Sequence, residues 1–126
     1  MLLTVTGNVK AKKNNKRIAY RGTGYKKTPF IMTEKTTNDY MQSAITQMRE
    51  QFAGYKITDY PISISVVFYY QTRHRKDIDN SLSTIADCMV HAGVLEDDDV
   101  AHVNHWDIRF GGYDKENPRV EIHLQD

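Results

Sequence analysis

A chain with one cysteine, Cys88, cannot close an internal disulfide, so its fold is no disulfide scaffold and its thiol fits the reducing cytoplasm. It also lacks any apolar run near the roughly 20 residues that span a bilayer, so no membrane segment is expected and a soluble protein is. The opening "MLLTVTG" has no basic lead and only a brief apolar stretch, and reads better as a first strand than as a secretory signal. No phosphate-cradling P-loop and no G-x-S-x-G elbow occur. An EF-hand starting at Asp77 would need Gly and Glu where Leu82 and Cys88 stand. One cysteine and five scattered histidines, of which only His102 and His105 lie close together, make no structural zinc site, and these histidines read as ordinary strand or surface residues. Cys88, mid-helix and without a local catalytic motif, reads as packing. With 126 residues, no internal repeat and no linker, the chain reads as a single domain, residues 1–126.

What the sequence does have is segregated charge. The net charge of +1 hides a basic stretch, residues 10 to 27, with eight cations and no acid: Lys10, Lys12, Lys13, Lys16, Arg17, Arg21, Lys26 and Lys27. Residues 77 to 99 hold seven acids and no Lys or Arg. A basic stretch can be a solvated loop. Here Tyr20 and Tyr25 add stacking faces and Asn14, Asn15, Gly22 and Gly24 add adaptability, which suits a flexible loop, about residues 8 to 30, that orders on a polyanion.

Periodicity supplies the frame. Leu3 and Val5 suggest a short opening strand. From about 35 to 53, Met41, Ala44, Ile45, Met48 and Phe52 recur at helical spacing, Thr36 with Asp39 resembles a capping box, and Gly54 suits the stop. "PISISVVFYYQ" alternates Ile62, Ile64, Val66, Phe68 and Tyr70 against Ser63, Ser65, Val67 and Tyr69, the clearest strand in the chain. A second helix, about 80 to 91, carries Leu82, Ile85, Ala86 and Met89 on one stripe before Gly93. Residues 100 to 110 and 118 to 124 read as two strands joined by "GGYDKENP", whose composition supports a hairpin-like turn. The order predicts an α/β (α+β) fold, a small mixed sheet covered by two helices.

Between the clear strand and the second helix stands "RHRKDIDN". If Asp77-Ile78-Asp79 is extended, both carboxylates point to one side, where their repulsion calls for a cation, and hard oxygen ligands suit Mg²⁺ or Mn²⁺. The alternative is that Asp79 or Asn80 only caps the helix while Asp77 is exposed. A second acidic group, "LEDDDV" with Asp97, Asp98 and Asp99, follows the helix. A helix of roughly 12 residues rises about 18 Å, so only the loop beyond it can bring this group back, and spacing does not decide whether it does.

Taken together, these residues resemble the RusA-type Holliday junction resolvases, common in phages and prophages. "RHRKDIDN" resembles the family's basic lead into D-x-D-N, and "AGVLEDDDV" its A-G-hydrophobic-hydrophobic-x-D-D. "YKKTPFIMTEKTTNDY" is more loosely similar to its lead into the first helix. The resemblance implies a Mg²⁺-dependent (Mn²⁺ as substitute) endodeoxyribonuclease, with no organic cofactor, that acts as a homodimer and nicks four-way DNA symmetrically. It implies that Asp77, Asp79 and Asp98 are the catalytic, metal-binding carboxylates, Asp98 lying 21 residues after Asp77, with Asn80 and Asp97 in support and Asp99 solvated. Arg73, Arg75 and the basic stretch would hold flanking phosphates. The family places a lysine six residues after the first Asp; here it is Ser83, and Lys76 or a lysine of the basic stretch such as Lys16 is expected to compensate. The alternatives are another branched-DNA nuclease, a junction-binding protein with weak or lost nuclease activity, and a single-strand or RNA-binding module, which leaves the spaced acids unexplained.

Overall fold

The computed structural model describes residues 1–10, 16–21, 28–33, 35–73 and 78–125, with backbone alone for 16–21 and 28–33. Its centre is the strand Ile62–Tyr70, here β4, whose Ile62, Ile64, Val66, Phe68 and Tyr70 are all buried while the residues between them are half-buried. That is the alternation expected of a strand with one face on a core. Its neighbours are β6 (Arg119–Gln125), antiparallel, and β5 (Val103–Tyr113), parallel. The opening strand β1 (Leu2–Thr6) pairs antiparallel with β6, giving a mixed four-stranded sheet of order β1-β6-β4-β5.

Helix α1 (Lys35–Phe52) buries Thr37, Tyr40, Ala44, Ile45, Met48 and Phe52, and α2 (Ile78–His91) buries Ser81, Thr84, Ile85, Ala86, Cys88 and Met89. Of these, Tyr40, Ala44, Ile45, Met48, Phe52, Ile85, Cys88 and Met89 join Leu3, Val5, Val120, Ile122, Leu124 and the buried face of β4 in one hydrophobic cluster, where large apolar side chains dominate. Each such side chain taken fully from water contributes about 1.5–3 kcal/mol. Cys88 is fully buried there, as its packing role requires. Gly54 and Gly93 take positive φ, 79° and 81°, just past the two helices. At Gly93 the chain forms a Schellman stop, with Gly93 N–H donating to Val90 O (3.1 Å) and Val94 N–H to Met89 O (2.9 Å). No helix among the described residues is long and apolar enough to cross a membrane.

Three expectations change. The last two strands are not a hairpin: β6 lies between β1 and β4, so the chain passes over the end of β4, where Asp114 N–H donates to Tyr70 O at 2.8 Å. Arg119 holds that crossing, reaching Glu121 (2.8 Å), Asp114 (2.9 Å) and Asn117 O (3.1 Å) while its guanidinium lies 3.9 Å from the centre of the Tyr69 ring. Where a loop is expected to about residue 30, Lys16–Arg21 (β2), inside the basic stretch, pairs antiparallel with Thr28–Thr33 (β3), just beyond it. Thr36 is already inside α1, so it is no cap.

Where β4 and β5 run side by side, the register slips between Phe68 and Tyr69, leaving Gly111 as the extra residue. A Cβ at Gly111 would stand 2.6 Å from the Tyr69 ring and 2.7 Å from Val67. Gly111→Ala is therefore expected to destabilise the fold by about 1–3 kcal/mol through overpacking, read as a fall in the urea midpoint; an unchanged midpoint would show that these side chains yield freely.

Candidate active site

The start of α2 is fixed from below: the Tyr70 hydroxyl at the end of β4 and Ser81 Oγ in the first turns of α2 share a buried hydrogen bond of 3.0 Å. Asp79 lies in the first turn, exposed, where unpaired backbone N–H groups and the helix dipole favour an anion. Asn80 is half-buried and its carbonyl accepts the Thr84 hydroxyl at 3.4 Å. Because Ile78 is already helical, neither Asp79 nor Asn80 is the cap. Asp77, Lys76 and Arg75 lie outside the described residues.

After the Gly93 stop, Val94 and Leu95 are buried and anchor an exposed acidic loop, Glu96 to Asp99. Tyr60 holds its start, its hydroxyl accepting Glu96 N–H at 3.3 Å. The His102 ring packs edge-on against Tyr60, with 4.8 Å between centres. From there it meets Asp99 Oδ1 through Nδ1 (2.6 Å) and Glu96 Oε2 through Nε2 (3.4 Å). Asp99, expected to be solvated, is exposed and also bonds His102. This contact lowers the Asp99 pKa, and the same bond raises that of His102.

Asp98 is different. Its backbone N–H donates to Asp97 Oδ1 at 2.7 Å, and its carboxyl is raised above the ordinary range, first by partial desolvation, then by a side-chain hydrogen bond with Asp97 and by the charges of Asp97 and Asp87. The charge of Asp87, eight residues along α2 from Asp79, thus acts on Asp98. Asp87 was counted among the acids but given no role. The missed signal is helical: Asp79, Ser83 and Asp87 recur every fourth residue, a row along one face of α2 that rises about 12 Å. The Asp87 end of that row is the one whose charge acts on Asp98, and half-buried Ser83 stands in its middle.

The donors in this region are carboxylates, whose hard oxygens and mutual repulsion fit a divalent cation such as Mg²⁺. Among the described residues, however, no three His, Cys, Asp or Glu side chains stand together in an arrangement that would hold an ion. Of the expected phosphate contacts, Arg73 is exposed, its guanidinium 4.6 Å from the centre of the Tyr113 ring, and Lys10 is half-buried. Lys16, Arg17 and Arg21 are β2 positions, and Lys12, Lys13, Lys26 and Lys27 lie outside the described residues.

The chain matches the family model described as "Endodeoxyribonuclease RusA" over residues 7–125. It is also 36% identical over 93 residues to the crossover junction endodeoxyribonuclease RusA of Aquifex aeolicus (strain VF5), an alignment covering 74% of this chain and 68% of that relative.

The His102–Asp99 contact sets a pH window. The raised His102 pKa makes its contribution complete below the ordinary imidazole value near 6.5 and lost as pH rises through the folded value; the lowered Asp99 pKa makes its own complete above the ordinary carboxylate value and lost as pH falls through the folded one. NMR titration of the metal-free protein should give His102 a pKa above 6.5 that drops toward 6.5 in Asp99→Asn. A His102 pKa unmoved by that substitution would contradict the contact.

Proposed function

The chain belongs to the RusA endodeoxyribonuclease family and is a DNA-cleaving hydrolase; from that premise we propose that it resolves four-way (Holliday) junctions by paired symmetric nicks, as a homodimer with Mg²⁺ as its cofactor. The observation that carries the reading is Asp98, a loop carboxyl whose anion is disfavoured first by desolvation and then by the neighbouring acids Asp97 and Asp87. Asp77, Asp79 and Asp98 would hold the ion, Mg²⁺ or Mn²⁺, which when bound lowers the pKa of a water and offsets charge on the scissile phosphate.

The protein's own groups do the rest. Arg73, stacked on Tyr113, presents a cation at the end of β4, and Arg75 and Lys76 follow it in the chain toward the acids. With the cations of residues 10 to 27 they hold the DNA backbone against an acidic centre that would otherwise repel it. Asn80 and Asp97 support their neighbours. Lys76 or Lys16 supplies the charge that Ser83 does not. A second reading, a junction-binding protein of weak or lost activity, is favoured by Ser83 itself, uncharged and half-buried in the middle of the acidic row.

Labelled four-way, Y-shaped and linear duplex DNA, each with and without Mg²⁺, separate the two. Paired nicks on the four-way junction are expected, with Asp77→Asn lowering the rate at least about a hundredfold, as loss of several kcal/mol of charge stabilisation implies, while salt-sensitive binding persists. Tight binding with no cutting at any Mg²⁺ or Mn²⁺ concentration would establish the second reading. Ser83→Lys sharpens the choice: an ammonium set between Asp79 and Asp87 should raise the cleavage rate if charge at this position limits turnover. Lys76→Ala and Lys16→Ala that both leave the wild-type rate unchanged would remove the compensation argument.

A further inference from the structure

The two edges of the four-stranded sheet are finished in opposite ways. On β1, two glutamines of α1 act as a substitute strand. Gln47 accepts Thr6 N–H (2.9 Å) and donates to Thr6 O (3.2 Å), and Gln51 does the same for Thr4 (2.9 and 2.7 Å). The other edge, β5, is 11 residues long and has no strand on its outer side among the described residues. A free edge of that length is a template for pairing with another chain. Its helix-side row is also incompletely covered: Trp106 and Ile108 are partly buried against the core, and Phe110 is 48% exposed. The opposite face carries Asp107 and Arg109, side chains 38% and 71% exposed, paired with each other at 3.2 Å.

The order of these residues identifies the occupant. Outward from Ile108, the sequence "WDIRF" places an acid on one side and a base on the other, then an aromatic ring on each side. In an antiparallel pair of identical strands about a two-fold axis, each residue faces the one equally far on the other side of the axis. We propose, resting on the homodimer reading above, that two copies join their β5 strands antiparallel about an axis at Ile108, making one continuous eight-stranded sheet. Asp107 of each copy then faces Arg109 of the other, Trp106 faces Phe110, and Ile108 faces Ile108. Such opposite-charge and aromatic pairs are the favourable cross-strand contacts. Moving the axis one residue, to Asp107 or to Arg109, sets like charges against each other, so the charges also select the register.

Light scattering on the full chain during gel filtration, with sedimentation equilibrium for the dissociation constant, tests this. The wild type runs as a dimer. Asp107→Arg and Arg109→Asp, each setting like charges face to face, weaken it by about tenfold or more, while circular dichroism shows the fold intact. The double exchange Asp107→Arg/Arg109→Asp restores the wild-type dimer. A short bismaleimide cross-links Ile108→Cys across the axis and leaves Asn104→Cys single, since two Asn104 positions stand about 26 Å apart along the paired strands and the native Cys88 is buried. A dimer that survives both single reversals, or Asn104→Cys cross-linking in place of Ile108→Cys, overturns the β5 interface and leaves the homodimer reading standing. A wild-type monomer overturns both.

Discussion

Two parallel neighbours cannot be joined by a tight turn, so the pairing of β4 with β5 obliges the chain between Tyr70 and Val103 to travel back along the sheet before it can re-enter. That return segment contains Arg73 to Asn80, Ser83, Asp87 and the Asp97–Asp98 pair, and with them every acidic candidate of the site. Its ends are tied by the parallel pair and its middle by α2, whose Ile85, Cys88 and Met89 are fully buried. The Tyr70–Ser81 bond and the Schellman stop at Gly93 then fix where the helix begins and ends. A loop placed by rigid elements at both ends is the usual place for chemistry. The core here specifies the position of the acids without containing any of them.

Within that segment the acids divide by partner. Glu96 and Asp99 are answered by His102, a cation source from the same chain, and their charge is spent on holding the loop's shape. Asp98 meets other acids, Asp97 and Asp87, so its anion is disfavoured by the fold itself. Charge of the first kind is structural. The second kind is what an added cation would relieve, and the difference follows from partners alone, with no appeal to family. The same logic explains why a chain of net charge +1 separates its signs: a DNA backbone reaches an acidic centre only where cations close by in the chain receive it.

The sequence made the core readable because one period governs each element. β4 and β6 alternate strictly, and the apolar stripes of α1 and α2 fall at three- and four-residue steps, so their buried faces could be named from residues alone. What it could not show is decided by partners distant in the chain. "GGYDKENP" is competent to turn a hairpin, yet the apolar residues of β6 are better buried between β1 and β4, and the turn crosses over instead. The β2–β3 pair hides because Lys16, Arg17 and Arg21 of β2 sit between Asn14-Asn15 and Gly22, and β3 carries Pro29, a context that reads as loop until the partner strand supplies its hydrogen bonds. Asp87 does not stand out in the sequence because the apolar stripe dominates the pattern of α2, while the acidic row runs along another face of the same helix. Asp79 falls inside α2, whose start the sequence places two residues later, while Asp77 lies outside the described residues.

Edge and site are also mechanically joined. Asp99 lies four residues before Val103, and its backbone carbonyl accepts the Val103 N–H at 2.8 Å, so the acidic loop is bonded directly to the first residue of β5. In a dimer paired through β5 about Ile108, the two Val103 residues stand ten residues apart along the joined strands, about 33 Å. Two acidic loops would then be held at a set separation by a hydrogen-bonded ladder rather than by side-chain contacts. Symmetric cutting of a substrate with two equivalent strands asks for that kind of rigidity, since a nick placed by one site must be matched by its counterpart before the substrate departs. On this view β1 is closed by glutamines because a second pairing edge would allow open-ended growth, whereas one free edge related to itself by a two-fold closes after two copies.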